Sequence, residues 1–232
     1  MAKRGKKYRQ VAELIDREAD YTLEEACDLV LKTKIAAFDE SVDLNLRLGV
    51  DPRHADQMVR GTVSLPHGTG KSVRVLALVN EAKQEEAKQA GADHVGLDDY
   101  IEKIEGGWAD IDVIVATPDV MGKIGKLGRH LGPRGLMPNP KSGTVTMDVA
   151  AAVEEFKSGK IDFRVDKAGI LHVSVGRASF DASQLRENLI SFLQTVIKMR
   201  PASTKGSYIR SATISTTMGP GIPISRSSIT SI

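Results

Sequence analysis

The spacing of apolar residues changes twice along the chain. Between residues 42 and 48, apolar and polar positions alternate, which predicts a strand buried on one face. Residues 73–79 and 111–116 are instead almost continuously apolar, as expected for strands covered on both faces. After Gly159 the alternation returns in residues 161–165 and 171–175, which predicts a hairpin. Antiparallel-type elements thus flank a central block of another type.

Helical signals fill the spaces between these strands. Thr22 and Glu25 have the spacing of a capping box, in which each side chain satisfies a free amide at the start of a helix. Pro118 fits the first turn of a helix. Helices are predicted at Tyr8–Glu18, Thr22–Lys34, Glu81–Ala90, Asp98–Ile104, Asp148–Lys157 and Ala182–Met199, and a last strand at Tyr208–Thr216 precedes the Gly/Pro-rich tail MGPGIPI.

This order of elements predicts a mixed α/β and α+β protein with two domains. Neither flank has enough elements to close a core alone, so both chain ends are expected to form one α+β domain, residues 1–67 plus 160–232. The strand–helix alternation of residues 68–159 predicts an inserted domain with a small parallel sheet. The joints at residues 67–71 and 158–159 would act as a hinge.

The stretch LPHGTGKS (residues 65–72) ends like a phosphate-binding loop. Such a loop needs a glycine five residues before Gly70 and a helix after Ser72. Leu65 occupies the glycine position, and a strand follows Ser72. The stretch is therefore interpreted as a connection between domains.

No other catalytic or metal-binding motif stands out. The five histidines lie far apart. Cys27, the single cysteine, is expected in the protein core, on the apolar face of helix Thr22–Lys34. Asp51-Pro52 is typical of a turn. We therefore expect no enzyme activity, cofactor, metal or catalytic residue. The apolar runs are too short to cross a membrane, and the cytoplasm is the expected location.

Charge is distributed unevenly, although the net charge is only +2. No acidic residue occurs after position 188 or between residues 120 and 147. Positive fields of this kind attract polyanions. The second stretch repeats Gly-x-x-Gly, a spacing also found in the clamp loop of KH domains, but its prolines favour a rigid, non-helical path. It is either a packed structural loop or a secondary RNA contact formed by Lys123, Lys126, Arg129, Arg134 and Lys141.

Three strings, VRGTVSLPHGTGKSVRV, LGPRGLMPNPK and ISTTMGPG, resemble in order and spacing the bacterial L-one family of large-subunit ribosomal proteins. The resemblance extends over nearly the whole chain. It implies a discontinuous α+β sandwich domain that binds RNA, with an inserted Rossmann-like domain. It also implies a non-enzymatic ribosomal protein that binds large-subunit rRNA at the mobile exit-site stalk, assists release of deacylated tRNA and represses its own operon mRNA. The free protein would be a monomer.

The resemblance also implies which residues contact RNA. Without the resemblance, Phe38 would be interpreted as a core aromatic residue at a strand edge. Gly219 is expected to be exposed, so that a side chain there would leave the fold intact. The implied residues are Phe38, Ser41, Lys160, Arg164, Asp166, Lys167, Ser211, Thr217, Met218 and Gly219. The alternative is an enzyme that binds a nucleotide or small anion through the inserted domain.

Overall fold

The computed structural model describes residues 5–16 and 18–230, apart from the side chain of Lys141. Its strands are β1 (Ser41–Leu48), β2 (Arg60–Ser64), β3 (Val75–Leu78), β4 (His94–Gly96), β5 (Val113–Ala116), β6 (Lys160–Arg164), β7 (Ile170–Arg177), β8 (Ile209–Thr216) and β9 (Ile222–Ile224). Its α-helices are α1 (Lys6–Ala12), α2 (Leu23–Lys32), α3 (Glu81–Gln89), α4 (Asp98–Glu105), α5 (Met121–Ile124), α6 (Gly128–Leu131), α7 (Val149–Lys157), α8 (Ala182–Lys198) and α9 (Arg226–Thr230). The mixed α/β character predicted from the sequence is confirmed. None of the helices in the described ranges is long and apolar enough to span a membrane.

The chain forms two compact units. The first consists of residues 1–70 and 162–232, and the second of residues 71–161.

The first unit is built on an antiparallel sheet with the strand order β7-β1-β8-β9. In β1 the residues Val42, Leu44, Leu46 and Leu48 are buried, and the polar residues between them point to the opposite side. Helices α2 and α8 pack together on the apolar side of the sheet. The predicted capping box of α2 is confirmed, with Thr22 and Glu25 bonded to each other's backbone amides.

The second unit has a parallel sheet with the order β4-β3-β5. All four residues of β3 are buried, because successive side chains enter two different cores. Val75 and Ala77 pack with α3 and α7, whereas Leu76 and Leu78 pack with Ile104 of α4 and Leu131 of α6. The continuous apolar run predicted this burial on both faces.

The predicted hairpin of residues 161–165 and 171–175 is wrong, because β6 pairs with β2 in a two-stranded sheet whereas β7 pairs with β1. Three other elements differ from the sequence predictions. Helix α1 ends at Ala12 rather than at residue 18; after it, Asp16 accepts from the amide of Glu18 and donates its own amide to the Tyr21 hydroxyl. The Gly/Pro-rich tail after β8, for which no element was predicted, forms β9, and α9 follows it.

The third difference concerns the glycine-rich stretch that begins at Met121. It forms helical turns through residue 131 instead of a non-helical path, and Gly122, Gly125 and Gly128 are helical. Ile124, Leu127 and Leu131 recur at helical spacing and are buried. This apolar spacing outweighs the low helix propensity of glycine, and the Gly-x-x-Gly repeats do not form a clamp loop.

The connection that resembles a phosphate-binding loop precedes a strand, as predicted. Gly68 and Gly70 have positive φ angles of 63° and 69°, which glycine adopts without strain. Lys71 pairs with Asp112 at 2.5 Å. The chain therefore lacks, at this position, the helix N-terminus that a nucleotide phosphate would need.

Candidate nucleic-acid interface

The polar face of the β7-β1-β8 sheet presents three rows of side chains. In the first row, the pairing register aligns Asp43 with Ser174 and Ser215. The second row is Asn45 with His172 and Thr213. The third row contains Arg47 with Ser211. From Ser41 to Arg47 this face runs for about 20 Å, at the usual rise per residue of a strand. It offers hydroxyls, amides and a guanidinium at regular spacing.

The candidate residues lie mainly at the two ends of this face. One end, here called the Met218 end, contains Phe38, Ser41, Thr217, Met218 and Gly219. The other, called the hairpin end because a hairpin was predicted there, contains Ser211 and the segment from Arg164 to Lys167. The structure therefore does not collect these residues into one compact cluster but separates them by the length of β1.

At the Met218 end, two large apolar side chains are open to solvent. Phe38 is 55% exposed and Met218 is 56% exposed, so the interpretation of Phe38 as a core aromatic residue is wrong. The Thr217 amide donates to the Ser41 carbonyl oxygen at 3.0 Å, and the Ser41 amide donates to Thr217 Oγ1 at 3.0 Å. These bonds join the start of β1 to the end of β8, 176 residues later in the chain.

A carboxylate lies beneath this end and has no solvent exposure. Glu40 Oε1 accepts from the amides of Ile35 and Ala36 at 2.7 and 2.5 Å, and Oε2 accepts from the Met218 amide at 3.0 Å. Burial alone would raise the pKa of Glu40, but the donors at Ala36 and Met218 hold it below its ordinary value. The carboxylate is therefore ionised at neutral pH.

Gly219 is half-buried, and the expectation that it is exposed is wrong. A Cβ atom there would overlap Thr216 Oγ1 and lie 3.1 Å from the Thr33 carbonyl oxygen. Its φ angle is not among the positive ones of the described glycines. The restriction at this position comes from close packing, not from a left-handed backbone.

The hairpin end contains a groove of about 770 Å³. Its rim carries positive charge, and Met58 and Val165 contribute apolar surface. The lining residues are Pro52, Arg53, Met58, Arg164, Val165, Asp166 and Lys167.

Two acidic residues moderate the positive charge of the face. The amides of Ile170 and Ala168 donate to Asp166 Oδ1, and together with His172 they hold the pKa of Asp166 below its ordinary value. Burial raises the pKa of Asp43, although Ser174 and Arg177 oppose this shift. His172 Nδ1 lies 2.6 Å from Asn45 Oδ1, and its Nε2 lies 3.6 Å from Asp166 Oδ2. The face thus combines hydrogen-bond acceptors with cations.

Lys160 belongs to the second unit. Its ammonium pairs with Glu155 and lies 5.5 Å from the centre of the Phe156 ring. In the second unit, Lys123 pairs with Asp98 at 2.8 Å, whereas Lys126, Arg129 and Arg134 are exposed on and after the helical turns. The side chain of Lys141 lies outside the described part of the structure.

Sequence reasoning missed several residues of the face. The rows of Asp43 and Asn45 contain residues that were not predicted: Asn45, His172, Ser174, Thr213 and Ser215. The alternation in β1 and β7 carried the signal for the first three, since the polar positions of a half-buried strand share one face. Arg53 and Met58 lie in a connection without periodicity, and no local pattern marks them.

Metal binding and thiol chemistry depend on clustered ligands or a reactive cysteine. No group of three or more metal-ligating side chains occurs among the described residues. Cys27 is buried, as predicted, and burial raises the pKa of its thiol to about 12. A thiol of this kind is not a nucleophile at neutral pH.

Comparison with known proteins gives a consistent result. The model of the ribosomal protein L1p/L10e family matches residues 30–220. The chain is 60% identical to the large ribosomal subunit protein uL1 of Phocaeicola vulgatus over 224 residues, 97% of each chain. It is 57% identical to the uL1 protein of Chlorobaculum tepidum over 226 residues, 97% of this chain and 98% of the relative.

The uL1 protein of Bacteroides thetaiotaomicron is 58% identical over 232 residues, the full length of both chains. Relatives of this similarity are named as ribosomal proteins, a structural class, and not as enzymes. The chain belongs to the ribosomal protein L1p/L10e family.

Proposed function

We propose that this chain is a structural component of the large ribosomal subunit and binds large-subunit rRNA through the polar face of its first unit. The observation that carries the proposal is the face itself: a sheet side whose rows of hydroxyl, amide and cationic groups are half-buried or exposed. The names of the relatives, all large-subunit proteins, support the assignment to the ribosome.

The composition of the face suits RNA better than a protein partner. Hydroxyl and amide groups can bond to 2′-hydroxyls and base edges, and Asp43 and Asp166 can accept from 2′-hydroxyl or exocyclic amino groups. Arg47, Arg164 and Lys167 can neutralise phosphates. At the Met218 end, Phe38 and Met218 can contact sugar and base surfaces.

The finer functions belong to the same proposal. The rRNA site would be the mobile stalk beside the exit site, where the protein would assist release of deacylated tRNA. An operon mRNA that imitates the rRNA site would compete for the same face, and binding it would repress translation. The exposed cations Lys126, Arg129 and Arg134 of the second unit would supply a secondary RNA contact.

A filter-binding titration against a stalk rRNA fragment at several salt concentrations tests the proposal. Lys167→Ala removes one phosphate partner at the hairpin end, so affinity should fall severalfold and the dependence on salt should become shallower. Lys198→Ala is the matched control, because Lys198 is exposed on α8, which packs on the apolar side of the sheet. Equal losses in the two variants would contradict the proposed face.

A competition measurement tests the regulatory part. An unlabelled operon mRNA fragment should displace the rRNA fragment completely, with one affinity for each RNA. Simultaneous binding of both RNAs would show that they use different surfaces, and autoregulation through this face would then be wrong.

A further inference from the structure

The buried carboxylate of Glu40 connects the two segments that carry the exposed apolar residues of the Met218 end. One oxygen, Oε1, holds the loop that leads to Phe38 through the amides of Ile35 and Ala36. The other oxygen, Oε2, holds the Met218 amide. The backbone carbonyl of Glu40 also accepts from the amide of Ala178 at 2.8 Å.

A charge in this position is costly for the fold. Among the described residues, Glu40 forms no ion pair with lysine, arginine or histidine, so hydrogen bonds, chiefly from backbone amides, compensate its burial. An apolar side chain of similar volume would fill the same space without the cost of desolvating a charge. The position requires an acceptor on each of two sides, which an apolar side chain cannot provide.

The hydrogen bonds of the Glu40 carboxylate fix the backbone of two exposed segments. With its amide bound to Glu40, Met218 is fixed next to Thr217, whose backbone and hydroxyl are bonded to Ser41. With the amide of Ala36 bound to the same carboxylate, the backbone two residues before Phe38 is fixed as well. The exposed groups of both segments are thus held at a set separation, while Glu40 itself has no surface that RNA could touch.

We infer that Glu40 is a positioning residue for RNA binding: it pre-organises the Phe38 and Met218 segments so that they meet one RNA surface together. The inference rests on the proposed function, since it concerns the same face. Pre-organisation lowers the ordering cost of binding, so its loss weakens the complex without removing any contact atom.

The direction of the change in RNA affinity distinguishes a positioning role of Glu40 from a direct effect of its charge. Removing a negative charge from an RNA-binding protein should strengthen binding to a polyanion. Positioning predicts the opposite for Glu40→Gln. The glutamine amide nitrogen donates and cannot accept, so at least one of the two segments loses its partner.

The test measures affinity of the full chain for the stalk rRNA fragment, at a temperature where each variant is folded by circular dichroism. Glu40→Gln should bind about tenfold or more weakly than the parent, with the same dependence on salt. Glu187→Gln is the charge-matched control at an exposed site, and Val196→Ala is the control for lost stability, since Val196 is fully buried in α8. Both controls should bind within about twofold of the parent.

Amide resonances provide a readout independent of RNA. In a ¹⁵N-labelled full chain, Glu40→Gln should shift the amide proton of Met218 or of Ala36 upfield, whereas Glu187→Gln should leave both unchanged. A folded Glu40→Gln variant that binds RNA like the parent overturns the inference, whatever its amide shifts. If Glu40→Gln fails to fold, Glu40→Asp replaces it: the shorter side chain cannot reach both segments, and binding equal to the parent overturns the inference as well.

The proposed function fails in a different way. If the parent chain binds the rRNA fragment no better than an unrelated RNA of equal length, the face does not recognise this RNA. The amide shifts would still report whether Glu40 organises the two segments.

Discussion

The turn after β8 leaves no room for a side chain at position 219. Thr216 and the Thr33 carbonyl close the space from two sides, although the residue lies next to exposed Thr217 and Met218. A substitution at this position therefore disturbs the fold before it can disturb a ligand. A loss of RNA binding in such a variant would not identify Gly219 as a contact residue.

Gly219→Ala should lower the free energy of unfolding by about 1–3 kcal/mol, because the new methyl group overpacks a closed site. Urea denaturation followed by circular dichroism measures the change. Gly122→Ala is the comparison: its Cβ would meet nothing within 4 Å, and alanine in a helical turn should be neutral or stabilise by up to about 1 kcal/mol. A neutral Gly219→Ala would show that Thr216 and Thr33 relax freely.

Among the elements, α8 packs on the sheet and also binds the segment after β2 through a buried side chain. Its buried Asn188 accepts from the His67 amide at 3.0 Å and donates to the carbonyls of Gly68 and Val175 at 2.9 and 2.8 Å. One side chain thus attaches the segment after β2 to both α8 and β7. The positive φ of Gly68 allows the chain to turn at this point.

Asn188→Ala should lower the free energy of unfolding by about 2–3 kcal/mol, since it leaves buried backbone groups without partners and opens a cavity. Hydrogen exchange of the His67 amide should accelerate by more than that of amides in the middle of β1. Uniform acceleration along the first unit would instead indicate a general loss of stability, and the attachment role would be wrong.

In the second unit, Asp112 joins the start of β3 to the residues before β5. It accepts from Lys71 Nζ at 2.5 Å and from the Arg74 amide at 3.1 Å. Burial alone would raise the pKa of Asp112, but Lys71 and Arg74 hold it below its ordinary value of 3.8. The stabilisation is therefore present above pH 3.8 and is lost as the pH falls toward the folded-state pKa.

Asp112→Asn should lower the free energy of unfolding by about 1–2 kcal/mol at pH 7, because the hydrogen bonds from Lys71 Nζ, the Arg74 amide and Arg74 Nε lose their acceptor charge. The difference from the parent should shrink as the pH falls below 3.8 and approach zero once Asp112 of the parent is protonated. Chemical denaturation at several pH values measures it. A difference that stays constant down to pH 2 would mean that the charge of Asp112 contributes nothing.

At the scale of the whole molecule, the proposed RNA face lies within the first unit alone. A chain in which residue 70 is joined to residue 160 keeps β6 and every row of the face. It should fold and retain RNA affinity within about tenfold of the full chain, because only the secondary contacts are removed. Circular dichroism and a cooperative unfolding transition establish folding, and filter binding measures affinity. A folded fragment without affinity would place recognition in the second unit.

Local sequence patterns predicted the elements where packing and propensity agree. Alternation in β1 defined a buried and a polar face, the continuous run in β3 indicated burial on both sides, and the Thr22–Glu25 pair marked the start of α2. The glycine-rich stretch after Met121 was misjudged, because its glycines were weighed more heavily than the buried residues at helical spacing. No element was predicted in the tail, because β9 is specified by its partner β8 and not by its own short sequence.

Local periodicity alone was enough to predict which residues of β1 and β3 are buried and which polar side chains of β1 share one side of the strand. Which strands pair, and in what register, depends on the packing of distant elements and became known from the fold. Pairing of β1 with β8 brings Thr217 next to Ser41. It also buries Glu40 beneath Met218, whose amide donates to the Glu40 carboxylate. Contacts between residues more than 170 positions apart depend on how whole elements pack, and no short window of sequence contains that information.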